Sequence, residues 1–139
     1  MKISEFKTDP RLEQDGVWVE AGAGLRLLVA SADNPKYEQY LRRLGKPYRL
    51  QIRNGTVRPD VMRDITMQAA ARHVLLDWEK LQDEDGNDVS YSEKQALAYF
   101  KEVPRFFNTV MEFAQNGALF REEEEEDARG NSRSSSAGN

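Results

Sequence analysis

The only side chain in this sequence whose ordinary pKa permits proton transfer near neutrality is a single imidazole, His73. Asp77 follows four residues later, and on a helix the two would share a face and could hydrogen-bond. General acid–base chemistry also needs a nucleophile or a substrate pocket, and no residue pattern announces either. A helix-surface or partly packed imidazole accounts for His73 without any catalysis. Cysteine is absent from the 139 residues. Thiolate nucleophiles, disulfide scaffolds and Cys-based zinc sites are therefore excluded. One histidine cannot build a multi-histidine metal centre.

Two further patterns imitate functional loops. Asp83-x-Asp85-x-Asn87 alternates oxygen-bearing side chains as a calcium loop does. An EF-hand needs glycine at its sixth position and a bidentate glutamate at its twelfth. Counting from Asp83, glycine stands fourth and Lys94 twelfth, so a solvated acidic turn is the better reading. Gly22-x-Gly24 resembles part of a nucleotide-binding loop. It lies between two strand-like segments instead of between a strand and a helix, and it lacks the third glycine, which makes it a hairpin turn.

Arg42, Arg43, Lys46, Arg49 and Arg53 interleave with Tyr37, Tyr40 and Tyr48. Aromatic rings among cations can stack on nucleotides. The same residues describe an amphipathic helix with inward tyrosines whose flank is covered by arginine stems. A protein partner with an acidic surface could also use the cluster, as could this chain's own acidic tail. Near the C-terminus Phe106, Phe107, Val110, Phe113 and Phe120 give an almost wholly apolar helix. Core packing explains it most simply; a partly exposed docking surface is the alternative.

These residues need a scaffold, and periodicity supplies one. Val17–Glu20 and Leu25–Ala30 are β-prone and flank the glycine turn, forming a hairpin that must rest on helices or on another strand. Residues 1–14 show little pattern beyond Phe6 and Leu12, which could pack at the fold edge. Asn34-Pro35 starts a helix, Asn as cap and Pro in the first turn. Lys46 precedes Pro47 and is disfavoured in the helical region, so this helix either ends there or kinks towards Ile52. Asn54-Gly55 stops it in either case. From Pro59 the stripe Val61, Ile65, Ala69 and Leu76, with Met62, Val74 and Trp78 beside it, predicts a long helix to about Leu81. Val89 and Tyr91 suggest a short extended stretch. Ser92 with Gln95 forms a capping box, and Pro104 opens the last helix. The fold class is α+β, mainly α: an N-terminal β-hairpin packed on a bundle of four or five helices.

Charge divides the chain into two parts. Residues 122–139 carry six acids against two bases, a charge of −4 that equals the net charge of the whole sequence. Residues 1–121 are therefore formally neutral, which disfavours a nucleic-acid partner. The expected organisation is one domain over 1–121 and a disordered acidic, Ser-rich tail over 122–139, without large apolar side chains to order it. No segment is apolar enough for a membrane span, and the N-terminus lacks a signal sequence.

The run Val74-Leu75-Leu76-Asp77-Trp78-Glu79, then Asp83–Asn87 and Tyr91-Ser92, resembles tail assembly chaperones of long-tailed bacteriophages and prophages. Phe6-Lys7-Thr8-Asp9-Pro10 with Gly16–Val19, Asn34-Pro35-x-Tyr37, Lys46–Arg49 and the aromatic helix before a Glu-rich end are similar as well. The resemblance covers residues from about 6 to 126. It implies a non-enzymatic protein of the host cytoplasm without cofactors. Such chaperones bind tape-measure protein, keep it soluble, help tail-tube protein polymerise around it, and leave before the virion is complete. Many also exist in a longer form made by programmed frameshifting. The partner-binding residues expected on this reading are Phe106, Phe107, Val110, Phe113 and Phe120, with Arg42, Arg43 and Arg49; self-association is a further option. Competing expectations are a structural head–tail or tail component and a small nucleic-acid-binding regulator.

Overall fold

The structure is a computed structural model, and it describes residues 1–121. The acidic tail over 122–139 lies outside the described residues. The chain runs α1 (Pro10–Asp15), β1 (Val17–Glu20), β2 (Arg26–Val29), α2 (Pro35–Gly45), α3 (Arg49–Asn54), α4 (Pro59–His73), β3 (Leu75–Glu79), α5 (Glu93–Glu102) and α6 (Pro104–Ala114). Short 3-10 turns precede α1, join α2 to α3 and follow α6. The expected hairpin is present, five helices follow it, and the fold is α+β. Helix α1 arises where the sequence shows little pattern; Asp9 caps it by accepting from the Arg11 N–H, with Pro10 at its first position. Leu12 is half-buried beside it, whereas Phe6 stays 62% exposed and does not seal the fold edge.

The sheet is a three-stranded antiparallel meander in the order β1-β2-β3. Alternation sends Val19, Leu27, Val29, Leu75 and Trp78 to the buried face, where α4 and α6 cover them. On the other face Arg26 lies 4.8 Å from the centre of the Trp18 ring and pairs with Glu79 at 2.8 Å. The third strand corrects the sequence reading. The predicted helix to Leu81 ends at His73, and residues 75–79 pair with β2. Leu-Leu-Asp-Trp fits a helical stripe and a period of two equally well in so short a run. The exposed edge of β2 decides between them, because pairing satisfies its backbone groups. Leu76 is the extra residue: Leu28 opposes Asp77 and Val29 opposes Leu75, so the register slips there.

Asn34 caps α2 as expected, accepting from the Tyr37 N–H at 3.0 Å. It is also buried and donates through its amide to the Ser31 and His73 carbonyls, tying the start of α2 to the end of α4. Lys46 is helical despite the following proline, and one 3-10 turn (Lys46–Tyr48) bends the chain from α2 into α3. Gly55, in the left-handed region at φ 70°, closes α3. Ser92 accepts from the Gln95 N–H, half of the expected capping box. Helices α5 and α6 pack through an edge-to-face pair, Phe100 on Phe107, with centroids 5.1 Å apart.

Two stability predictions follow from these contacts. Asn34→Ala removes a cap and takes its side-chain donor from the His73 carbonyl, while the Ser31 carbonyl keeps the residue-34 backbone N–H; the loss should cost roughly 1–3 kcal/mol in urea unfolding. Asn34→Asp should also destabilise, because it sets a carboxylate against those carbonyls, although Asp is ordinarily as good a cap as Asn. Burial first, then the charges of Glu93 and Asp77, pushes the Tyr91 hydroxyl up to about 12 from its usual 10.0. Its contribution to stability is full below pH 10.0 and is lost as pH rises to about 12. Unfolding midpoints followed upward from neutral pH should show this alkaline step in the wild type and not in Tyr91→Phe.

Candidate functional site

His73 sits at the last position of α4, half-buried, with its ring edge-on to Tyr40 at 5.4 Å. Burial, then the nearby Arg72 and Lys36 charges, lowers its pKa. Asp77 belongs to β3 and accepts from its neighbour, the Trp78 N–H, so no His–Asp pair forms on a helix. The Asp83–Asn87 turn is likewise explained by its own backbone: Asp83 Oδ1 accepts from the N–H groups of Asp85 and Asn87 at 3.0 Å. Among the described residues no group of three His, Asp or Glu side chains could hold a metal ion.

The last helix is mostly core. Phe107, Val110 and Phe120 are buried, and Phe106 and Phe113 are half-buried. Phe107 and Val110 of α6 face the sheet and α5, and Phe120, in the 3-10 turn after α6, is buried as well, so these three side chains serve the core. The basic cluster divides. Tyr37 is buried and Tyr40 half-buried, which fits the amphipathic-helix reading, while Tyr48, Arg42, Arg43 and Arg49 are exposed.

A surface feature that the sequence did not disclose lies between α2, α3 and α4. Leu41, Ile52, Met62 and Ile65 line an open groove of about 380 Å³, and Arg42, Lys46 and Arg49 also line it. The bend after α2 creates it. Gly45 is buried, and a Cβ there would stand 3.2 Å from Ile52 Cδ1, so the absent side chain lets α3 fold back against α2. Leu50 remains 63% exposed and Ile52 39% exposed on the same short helix. Two aliphatic residues set among arginines were the available signal, and the amphipathic pattern of α2 masked it.

A second groove, of about 420 Å³, lies where the acidic turn meets α5 and α6. Leu81, Tyr99, Val103 and Phe106 supply its apolar lining, and Asp83, Glu84 and Glu102 its acids. Trp78 Nε1 donates to the Val89 carbonyl at 2.7 Å and Tyr91 Oη to the Leu75 carbonyl at 2.7 Å, which holds the turn against the fold. The two grooves have opposite sign. Residues 35–58 hold seven bases against Glu38 alone, a formal +6, and residues 77–93 hold seven acids against Lys80 alone, a formal −6. Helix α4 packs against both α2 and α5.

Surface and core should respond differently to truncation. Arg42→Ala with Arg49→Ala removes exposed side chains that form no ion pair among the described residues. Their combined effect on the urea midpoint should stay within about 0.5 kcal/mol, whereas Phe107→Ala should cost roughly 3–5 kcal/mol.

No curated protein and no solved structure matches the chain. Among the described residues no helix is long and apolar enough to cross a membrane. One family model does match, that of the YdaY prophage protein, over residues 32–131. The matched stretch begins just before the Asn34 cap and takes in both grooves and the acidic turn. It covers well over half the sequence, and the chain therefore belongs to the YdaY prophage protein family.

Proposed function

We propose that this prophage protein is a tail assembly chaperone that binds tape-measure protein, and tail-tube protein with it, and catalyses nothing. The observation that carries the reading is the exposed aliphatic pair Leu50 and Ile52 beside an apolar groove flanked by cations. A tape-measure protein is a long, largely helical chain with apolar faces. Laying such a face into a groove would remove it from water, in the manner of helix-in-groove recognition. Membership of a prophage family supports the setting, and the resemblance of residues 74–92 to tail chaperones supports the role. On this reading the contact surface is α2–α3, with Arg42 and Arg49 at its edge, and the buried residues of α6 serve to hold the fold. The acidic segment after Arg121 would add net charge that opposes aggregation of the complex. It would also be a suitable junction for a frameshifted extension. The place of action would be the host cytoplasm, and the protein would be absent from finished particles.

The test is coexpression with the tape-measure protein of the same prophage. The soluble fraction of the tape measure should rise, and the two proteins should copurify. Leu50→Asp with Ile52→Asp should abolish the gain, while Trp18→Ala, at an exposed aromatic site on the sheet, should leave it unchanged. No gain in solubility when both proteins are well expressed would refute the role. Detection of this protein in purified particles would point instead to a structural tail or head–tail component.

A further inference from the structure

The two grooves are similar in volume and opposite in sign. On the α2–α3 side a projecting aliphatic residue, Leu50, stands among Lys46, Arg49 and Arg53. None of these cations has a carboxylate within bridging distance among the described residues. On the α5–α6 side, Val103 is 47% exposed at the mouth of the Leu81–Phe106 groove, and Glu84 and Glu102 are exposed there without an ion pair. Within one molecule no ion pair joins the two sets among the described residues. Between two molecules nothing prevents such pairing.

We infer that the protein associates with itself head to tail, Leu50 and the basic face of α3 in one copy docking into the acidic Leu81–Val103 groove of the next. Each half of the contact supplies what the other lacks. An aliphatic knob enters an apolar groove, while Lys46, Arg49 and Arg53 face Glu84 and Glu102. A nucleic acid would satisfy the cations and leave Leu50 and Ile52 without an apolar counterpart, so the observations favour a protein surface. The contact is heterologous, since the two faces share no residue. It therefore propagates from copy to copy, as a ring if the rotation closes and as an open chain if it does not. Patches of this size support weak association, and exposed ion pairs make it sensitive to salt. The inference concerns the protein alone and does not depend on the tape-measure reading.

Sedimentation velocity of the full chain tests it. At low ionic strength the sedimentation coefficient should rise with protein concentration, and added salt should return it to the monomer value. Arg49→Glu with Arg53→Glu should sediment as a monomer, and so should Glu84→Lys with Glu102→Lys. Asp83 is left intact in these variants because it holds its own turn. An equimolar mixture of the two charge-reversed proteins should associate again, because the basic face of the second meets the acidic groove of the first. Leu50→Ser should weaken association while its urea midpoint stays at the wild-type value. Four results would each overturn the inference: a monomer at every concentration in low salt, either charge variant associating as the wild type does, a mixture that stays monomeric, or loss of association in Glu123→Gln with Glu124→Gln and Glu125→Gln. The last result would assign the acidic role to the tail. Binding of a DNA or RNA oligonucleotide by the α3 face without self-association would equally reject it.

Discussion

The fold depends on a helix that must become a strand within one residue. Helix α4 ends at His73 and β3 begins at Leu75, leaving only Val74 between them. Such a junction strands the final carbonyls of the helix, and buried carbonyls without donors are costly. Here several carbonyls at and around the junction find partners from other parts of the chain. Asn34 donates to His73, the Ala30 N–H to Val74, and the Tyr91 hydroxyl to Leu75 at 2.7 Å, with the Ala71 carbonyl 3.3 Å from the same oxygen. The start of α2, the end of β2 and the approach to α5 are therefore all fastened to the same short stretch. Without that fastening β3 would have no fixed register and α2 no fixed origin, and neither groove would have walls.

Charge is arranged around the same helix. Helix α4 packs against both α2, which lies in the basic stretch 35–58, and α5, which begins at the end of the acidic stretch 77–93. The ion pairs among the described residues are Arg26–Glu79, Arg58–Asp60 and Lys101–Asp64, and none of them joins the two stretches. Exposed pairs of this kind each contribute little to stability, so the segregation costs the fold little. What it does create is a polarised surface on a body whose net charge is zero. Such a surface steers an approaching partner by orientation, where a net charge would merely attract or repel.

Much of this architecture was legible in the sequence because its signals are local. Asn34-Pro35, Asn54-Gly55, Pro59, Ser92 and Pro104 act through their own backbone and side-chain geometry, and each marks an element end in the structure. The hairpin followed from alternation across a glycine turn. What was not legible depends on distant partners. Leu75–Glu79 reads as helix until β2 is placed beside it, and the aromatic residues of α6 look available until the sheet covers them. Lys46 remains helical before Pro47, which stands in the first turn of a 3-10 helix, where its missing N–H leaves nothing unpaired. The groove was invisible for a related reason: it exists only because Gly45 lets Ile52 fold back, a contact between residues seven apart across a bend that no periodic pattern encodes.

The limits of the family match make the same point from another direction. The matched stretch starts at Ala32 and so contains β3 but neither β1 nor β2. Yet β3 takes its register from β2, and the Val74 carbonyl takes its donor from Ala30. A segment with this dependence cannot hold its strand as an edge alone, since an unpaired strand with Leu75 and Trp78 on one face would expose both backbone and apolar surface. The hairpin is therefore the part that shields β3, while the grooves, the acidic turn and the α4 junction lie within the matched stretch. The walls of those grooves rest on a strand pair at this position, and in this chain residues 17–29 supply it.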